Sequence, residues 1–185
     1  MDVVDVMARL PYLEPESAPP AVRELFDRLP AKLNIFKLMA HAETLFRPLL
    51  ALGTAILAQE ELPPRMRELA ILRVARLAAA EYEWVQHVPM ARAAGVGEPQ
   101  VEALRRGEID PACFDPLERL VLRFVTEVVR DGGAAAPTLA ALAQHFAPRA
   151  IVELVLTVGF YTMLAQLMAT AAIDLDPPLD ILGRR

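Results

Sequence analysis

Between Arg65 and Ala78 the chain reads RMRELAILRVARLA, and at about 100° per residue this run is apolar almost all the way round. Met66, Ala70, Val74 and Leu77 cover one side, and Ile71, Leu72 and Ala75 cover the other. A helix clothed in this way is a buried one, so the rest of the chain has to enclose it. Pro63 and Pro64 open it, since a first-turn proline gives up an N–H that has no helical partner anyway. Glu68 projects between Ile71, Leu72 and Ala75, which aims its carboxylate at the interior. A second helical run, Glu81 to Ala94, carries Glu83 and His87 four apart on one face before Gly95 and Gly97 stop it.

A buried acid, a second acid and a histidine form a chemical candidate. Desolvation raises a carboxylic acid's pKa, and a nearby carboxylate keeps an imidazole protonated for longer. Groups tuned in this way suit general acid–base work. The alternative reading is structural: an ion pair between Glu68 and Arg65, with His87 as a satisfied core histidine.

The remaining segments read as helices too. Residues 1–20 are punctuated by Pro11, Pro15, Pro19 and Pro20 and read as an extended arm, lying across a neighbour or loose. Helices are expected at Ala21 to Leu29, Leu33 to His41, Thr44 to Gln59 and Pro99 to Arg106. Asp115-Pro116-Leu117-Glu118 is a capping-box start for a helix ending at Gly132-Gly133. Ala134 to Pro137 reads as a flexible link, Thr138 to Phe146 as a short helix, and Pro148 opens a last long one to about Ala172. No segment alternates with the period of a strand, so the fold class is all-α. One domain over residues 21–176 with a tail at 177–185 is the expected organisation.

Leu154 to Ile173 carries no charge and is long enough to span a bilayer. Thr162, Gln166 and Thr170 share one face of it, Glu153 stands at its start, and basic flanks are missing. It is therefore expected inside the fold, lining a cavity or a subunit interface, with no membrane as partner. Hydrophobic residues make up 55% of the chain, an excess that points to a homo-oligomer. A net charge of −5 argues against nucleic acid. One cysteine and an acidic N-terminus lead us to expect a reducing, cytoplasmic setting.

Other chemistry-bearing residues offer less. Cys113 sits beside Asp110 and Asp115, which oppose thiolate formation. His41 and His145 stand at helix ends, where capping is the default. The three histidines have no metal-ligand spacing, and the glycines follow helices rather than strands, so neither a metal nor a phosphate loop is expected. Tyr82 and Tyr161 can pack or turn a hydroxyl toward a cavity.

At Glu68, Tyr82-Glu83-Trp84 and His87 the sequence resembles the carboxymuconolactone decarboxylase and alkylhydroperoxidase D superfamily. The resemblance covers about Leu45 to Thr170, strongly in RELAILRVARLAAAEYEWVQH and more weakly in VELVLTVGFYTMLAQ. The peroxidase branch carries a glutamate, a C-x-x-C pair and a histidine four residues beyond the second cysteine. By that spacing the glutamate falls on Glu68 and the histidine on His87, but the cysteines fall on Ala80 and Glu83. Thiol peroxidase chemistry needs a thiolate and a resolving partner, which alanine and glutamate cannot supply. The resemblance therefore implies the decarboxylase side, a helical bundle assembled as trimers or hexamers and working without metal or organic cofactor. The implied activity is decarboxylation, or a related lactone or enol proton transfer, on a small carboxylated substrate. His87 would act as general acid, Glu68 would orient it, and Glu83 would assist. Tyr82, Trp84 and Tyr161 would shape the pocket, with Trp84 as pure core the alternative; Arg65, Arg73 and Arg76 are candidates to meet the anionic group, each also readable as a structural ion pair. A thiol-dependent peroxidase, or a non-catalytic helical oligomer, is the alternative.

Overall fold

The computed structural model describes residues 8–176, which form nine α-helices and one short 3-10 turn, with no strand among the described residues. The apolar run sits where its composition requires. Helix α4 (Pro64–Leu77) is buried continuously from Met66 to Ala75 and packs against α5 (Glu81–Ala93), α7 (Pro116–Asp131) and α9 (Pro148–Ala171). Around this centre run α1 (Pro20–Phe26), α2 (Asn34–Met39) and α3 (Glu43–Ala58) on one side. On the other lie α6 (Glu98–Arg106) and α8 (Ala136–Leu142).

The corner between α4 and α5 sets the site's geometry. Ala79 adopts a left-handed conformation with φ of 51°, and the Ala80 amide turns back to the Ala75 carbonyl at 2.8 Å. Such a conformation costs a non-glycine residue about 1 kcal/mol, which the closure of this carbonyl offsets. The chain then returns along α4, and Glu68 and His87 meet between the two helices. Helix α7 begins with the expected box: the Glu118 amide donates to Asp115 Oδ1 at 2.8 Å, and the Asp115 amide to Glu118 Oε2 at 2.9 Å.

Helix α9 is long and apolar enough to cross a membrane, yet it packs as a core helix. Leu154, Val158, Tyr161 and Ala165 are buried, while Val152 and Leu156 remain 55% and 54% exposed on the outer face. Gly53 of α3 allows close approach to this helix, since a Cβ there would stand 3.3 Å from the Phe160 ring.

Two expectations need correction. The described part of the N-terminal arm does not stay loose. It lies on its own chain, with the Arg9 amide on the Ala171 carbonyl (2.6 Å), His41 Nε2 against the Pro11 carbonyl (2.8 Å) and Tyr12 on Asp174 (2.9 Å). Helix α8 starts at Ala136 rather than Thr138, because Pro137 serves as a first-turn residue and not as linker. The first seven residues and the tail at 177–185 lie outside the described residues.

Candidate active site

Glu68 is 1% exposed and His87 7%, so both lie away from bulk water. His87 Nδ1 stands 2.9 Å from Glu68 Oε2, across nineteen positions of sequence. An ionised carboxylate can only accept, so Nδ1 carries the proton and donates. This leaves Nε2, on a ring that lines the cavity, with no partner among the described residues. The second oxygen of Glu68 accepts from Arg67 Nε at 3.1 Å, and Arg67 Nη1 reaches the Ile56 carbonyl at 3.4 Å. Arg67 thus pins the carboxylate that pins the imidazole. Its presence beside Glu68 in an otherwise apolar run was the sequence signal for this third member.

The expected Arg65–Glu68 ion pair does not form. Arg65 turns away, to Glu118 of α7 at 2.7 Å and Gln100 of α6 at 2.8 Å. Arg65 lies in the first turn at the surface, while Glu68 faces inward, and three-residue spacing cannot overcome that difference.

Glu83, one turn before His87 on α5, is 3% exposed and lines the same cavity. Neither of its carboxylate oxygens has a hydrogen-bond partner. Burial alone pushes its pKa well above the ordinary 4.5, which favours the neutral acid. Tyr161 of α9 stands edge-on to the His87 ring, with centroids 4.8 Å apart at 89°. Burial and the nearby Glu68 and Glu83 raise its phenol pKa, holding it protonated, and its hydroxyl makes no hydrogen bond among the described residues.

The cavity these groups face has a volume of about 280 Å³, with a wall that is mostly aliphatic and aromatic. Ile35, Phe36 and Met39 of α2 and Leu49 of α3 close it opposite His87, a contribution that no local sequence pattern announces. Tyr82 lines it, but its hydroxyl is committed to Asp176 Oδ2 at 2.6 Å. Trp84 does not line it. It lies on another side of α5, beneath the Arg105 guanidinium at 5.3 Å, so its expected place in the pocket is corrected.

The expected cation is missing as well: no arginine or lysine lines the cavity among the described residues. Arg73 is bonded to Thr126 and the Gly107 carbonyl, each at 3.0 Å, and Arg76 to the Arg105 carbonyl at 2.8 Å. Cys113 points its sulfur at the Pro99 carbonyl (3.7 Å), away from the cavity, and His145 is exposed. No group of three His, Cys, Asp or Glu residues among those described is arranged to hold a metal ion.

Fold and site together define a class: an all-α bundle holding a carboxylate-supported imidazole against an apolar cavity. Residues 43–127, from α3 through most of α7 and including Glu68, Glu83 and His87, match the carboxymuconolactone decarboxylase family. No curated protein matches the chain. A peroxidase-related protein from Ralstonia eutropha JMP134, with an alkylhydroperoxidase core, superposes with a TM-score of 0.78 at 19% identity. That match covers 92% of this chain and 93% of the other. A peroxidase-related protein from Silicibacter sp. TM1040 gives 0.76 at 18% identity, covering 100% and 98%. The debrominase Bmp8, in complex with 2,3,4-tribromopyrrole, gives 0.71 at 16%, covering 94% and 93%. Over residues 43–127 the chain is similar to the carboxymuconolactone decarboxylase family, and its fold is that of the alkylhydroperoxidase-like structures.

Proposed function

We propose that the protein is an enzyme that moves protons on a small unsaturated or carbonyl-bearing substrate, using its own side chains. The reaction is loss of a carboxyl group, or a double-bond shift in a lactone or enol. The observation that carries this reading is His87 Nδ1 held on Glu68 at 2.9 Å, in a ring that lines the cavity. In a double-bond shift, Nε2 takes a proton from carbon and the imidazolium is stabilised by Glu68. Negative charge then moves through the conjugated bonds onto the substrate's oxygen, where the protonated Glu83 donates. His87 returns the proton to the far carbon. In a decarboxylation Nε2 first takes the proton of the substrate's carboxylic acid, carbon dioxide then departs, and His87 returns that proton to carbon. Positioned acid–base groups of this kind contribute roughly 10²–10⁴-fold each.

Two probes test the reading: isomerisation of α-angelica lactone, followed by the ultraviolet absorbance of its conjugated product, and decarboxylation of 4-carboxymuconolactone. His87→Ala and Glu68→Gln should each lose most of the turnover of whichever probe the parent accepts. Full turnover in both variants, or no turnover of either probe by the parent, would sink it.

Thiol-dependent peroxide reduction is the competing reading, favoured by the peroxidase-related names of two structural neighbours. Against it stand Ala80 and Glu83 at the cysteine positions and Cys113 outside the cavity. Peroxide consumption that disappears in Cys113→Ser would establish it.

A further inference from the structure

The polar groups on the cavity wall divide into those already committed and those still unpaired. Thr54 Oγ1 donates to the Leu50 carbonyl at 2.8 Å, Tyr82 is bound to Asp176, and Gln86 Nε2 donates to the Asp176 carbonyl at 3.3 Å. His87 Nδ1 is taken by Glu68. Left without a partner among the described residues are both oxygens of Glu83, the Tyr161 hydroxyl and His87 Nε2. A buried acid with neither oxygen satisfied is costly to keep, and a guest that accepts its proton removes that cost.

Charge and size narrow the guest. The ionisable groups in electrostatic reach of Tyr161 are Glu68, Glu83 and Glu60 on the acidic side and Arg67 on the basic side. Arg67 is already bonded to Glu68, and Glu60 to Thr157 at 2.6 Å. A carboxylate brought into this cavity would meet acids and apolar wall, with no free cation among the described residues. A cavity of roughly 150 Å³ takes a benzene ring. At about 280 Å³ this one has room for a ring with short substituents.

Resting on the acid–base reading above, we infer that the substrate is uncharged: a single-ring, largely apolar compound with one oxygen acceptor. Glu83 donates a hydrogen bond to that oxygen, and compounds bearing a carboxylate are turned away. Of the two reactions at this site, the double-bond shift in a neutral lactone or enone is then the one served. The proton balance closes within the cavity: His87 Nε2 takes the proton from one carbon and gives it to another, while Glu83 keeps its own after sharing it with the oxygen.

The test is calorimetric titration of the full chain at neutral pH with three probes of matched size: acetophenone, ethylbenzene and benzoate. Acetophenone should bind about tenfold tighter than ethylbenzene, the effect of one hydrogen bond to a buried donor, and at least about tenfold tighter than benzoate. Glu83→Gln, whose amide still donates, should keep the preference over ethylbenzene, and Glu83→Leu should abolish it. Benzoate binding as tightly as acetophenone, an unchanged preference in Glu83→Leu, or no binding of any probe overturns the inference. Because this is a binding measurement, it fails separately from the acid–base reading. Probes that sort as expected while His87→Ala keeps full lactone turnover refute the chemistry alone. Benzoate preferred while His87→Ala is inactive refutes the substrate class alone.

Discussion

Two carboxylates, Glu118 and Glu83, are equally well buried, at 2% and 3% exposure, and are treated in opposite ways. Glu118 receives Arg65 Nε at 2.8 Å and Nη2 at 2.7 Å, Gln100 Nε2 at 2.7 Å and the Asp115 amide at 2.9 Å. It closes the start of α7 and fastens α6 and α4 to it. Glu83 receives nothing. A fully bonded carboxylate holds a fold together, and one left bare beside an imidazole in a cavity is a cost that only use explains. Burial alone would not have separated them, whereas the partner count does.

The contrast can be broken most sharply at the imidazole. His87→Ala should cut turnover of the lactone probe about a thousandfold, roughly 4 kcal/mol of barrier, while chemical denaturation shows little change. Glu118→Ala should do the reverse, costing about 3 kcal/mol of stability by taking the acceptor from Arg65 Nε, Gln100 Nε2 and the Asp115 amide, with the surviving folded protein turning over normally. Glu83→Leu should stabilise the fold by about 1 kcal/mol by removing an unsatisfied acid of similar size, and should lower turnover.

The pH profile sharpens the same comparison. Glu83's folded pKa lies well above 4.5, so as pH rises past that value the unfolded chain releases this proton before the native one does. Native protein then binds more protons, and stability is fully retained below the ordinary 4.5 and falls from there up through the raised value. Denaturation midpoints of Glu83→Leu should lack that slope relative to the parent. The smallest effect belongs to Cys113→Ser, which should leave turnover unchanged and stability within about 0.5 kcal/mol.

How much of this was visible beforehand varies by residue. The all-round apolarity of residues 65–78 announces a central helix, and the four-residue step from Glu83 to His87 puts both on one face, because these are local periodicities. The box at Asp115 is local as well. The same helical wheel turns Trp84 about 100° from Glu83 and into the core side, which is the core alternative for this residue. Arg65's true partner lies 53 positions away, and the wall contributed by α2 comes from a helix whose docking depends on tertiary packing. No spacing rule reaches such contacts. The cation expected from the arginines failed for a related reason: each finds its partner on another element before it can face the cavity.

The segment after α9 limits how short a working version of this protein can be made. Asp176 accepts from the Tyr82 hydroxyl and the Asn34 amide, each at 2.6 Å, and the Asp174 carbonyl holds the Asn34 side chain at 3.2 Å. A truncation at residue 173 would strip acceptors from both α2 and α5, the helices on either side of the cavity mouth. A minimal domain drawn from helix ends alone would therefore lose the brace that spaces its two walls.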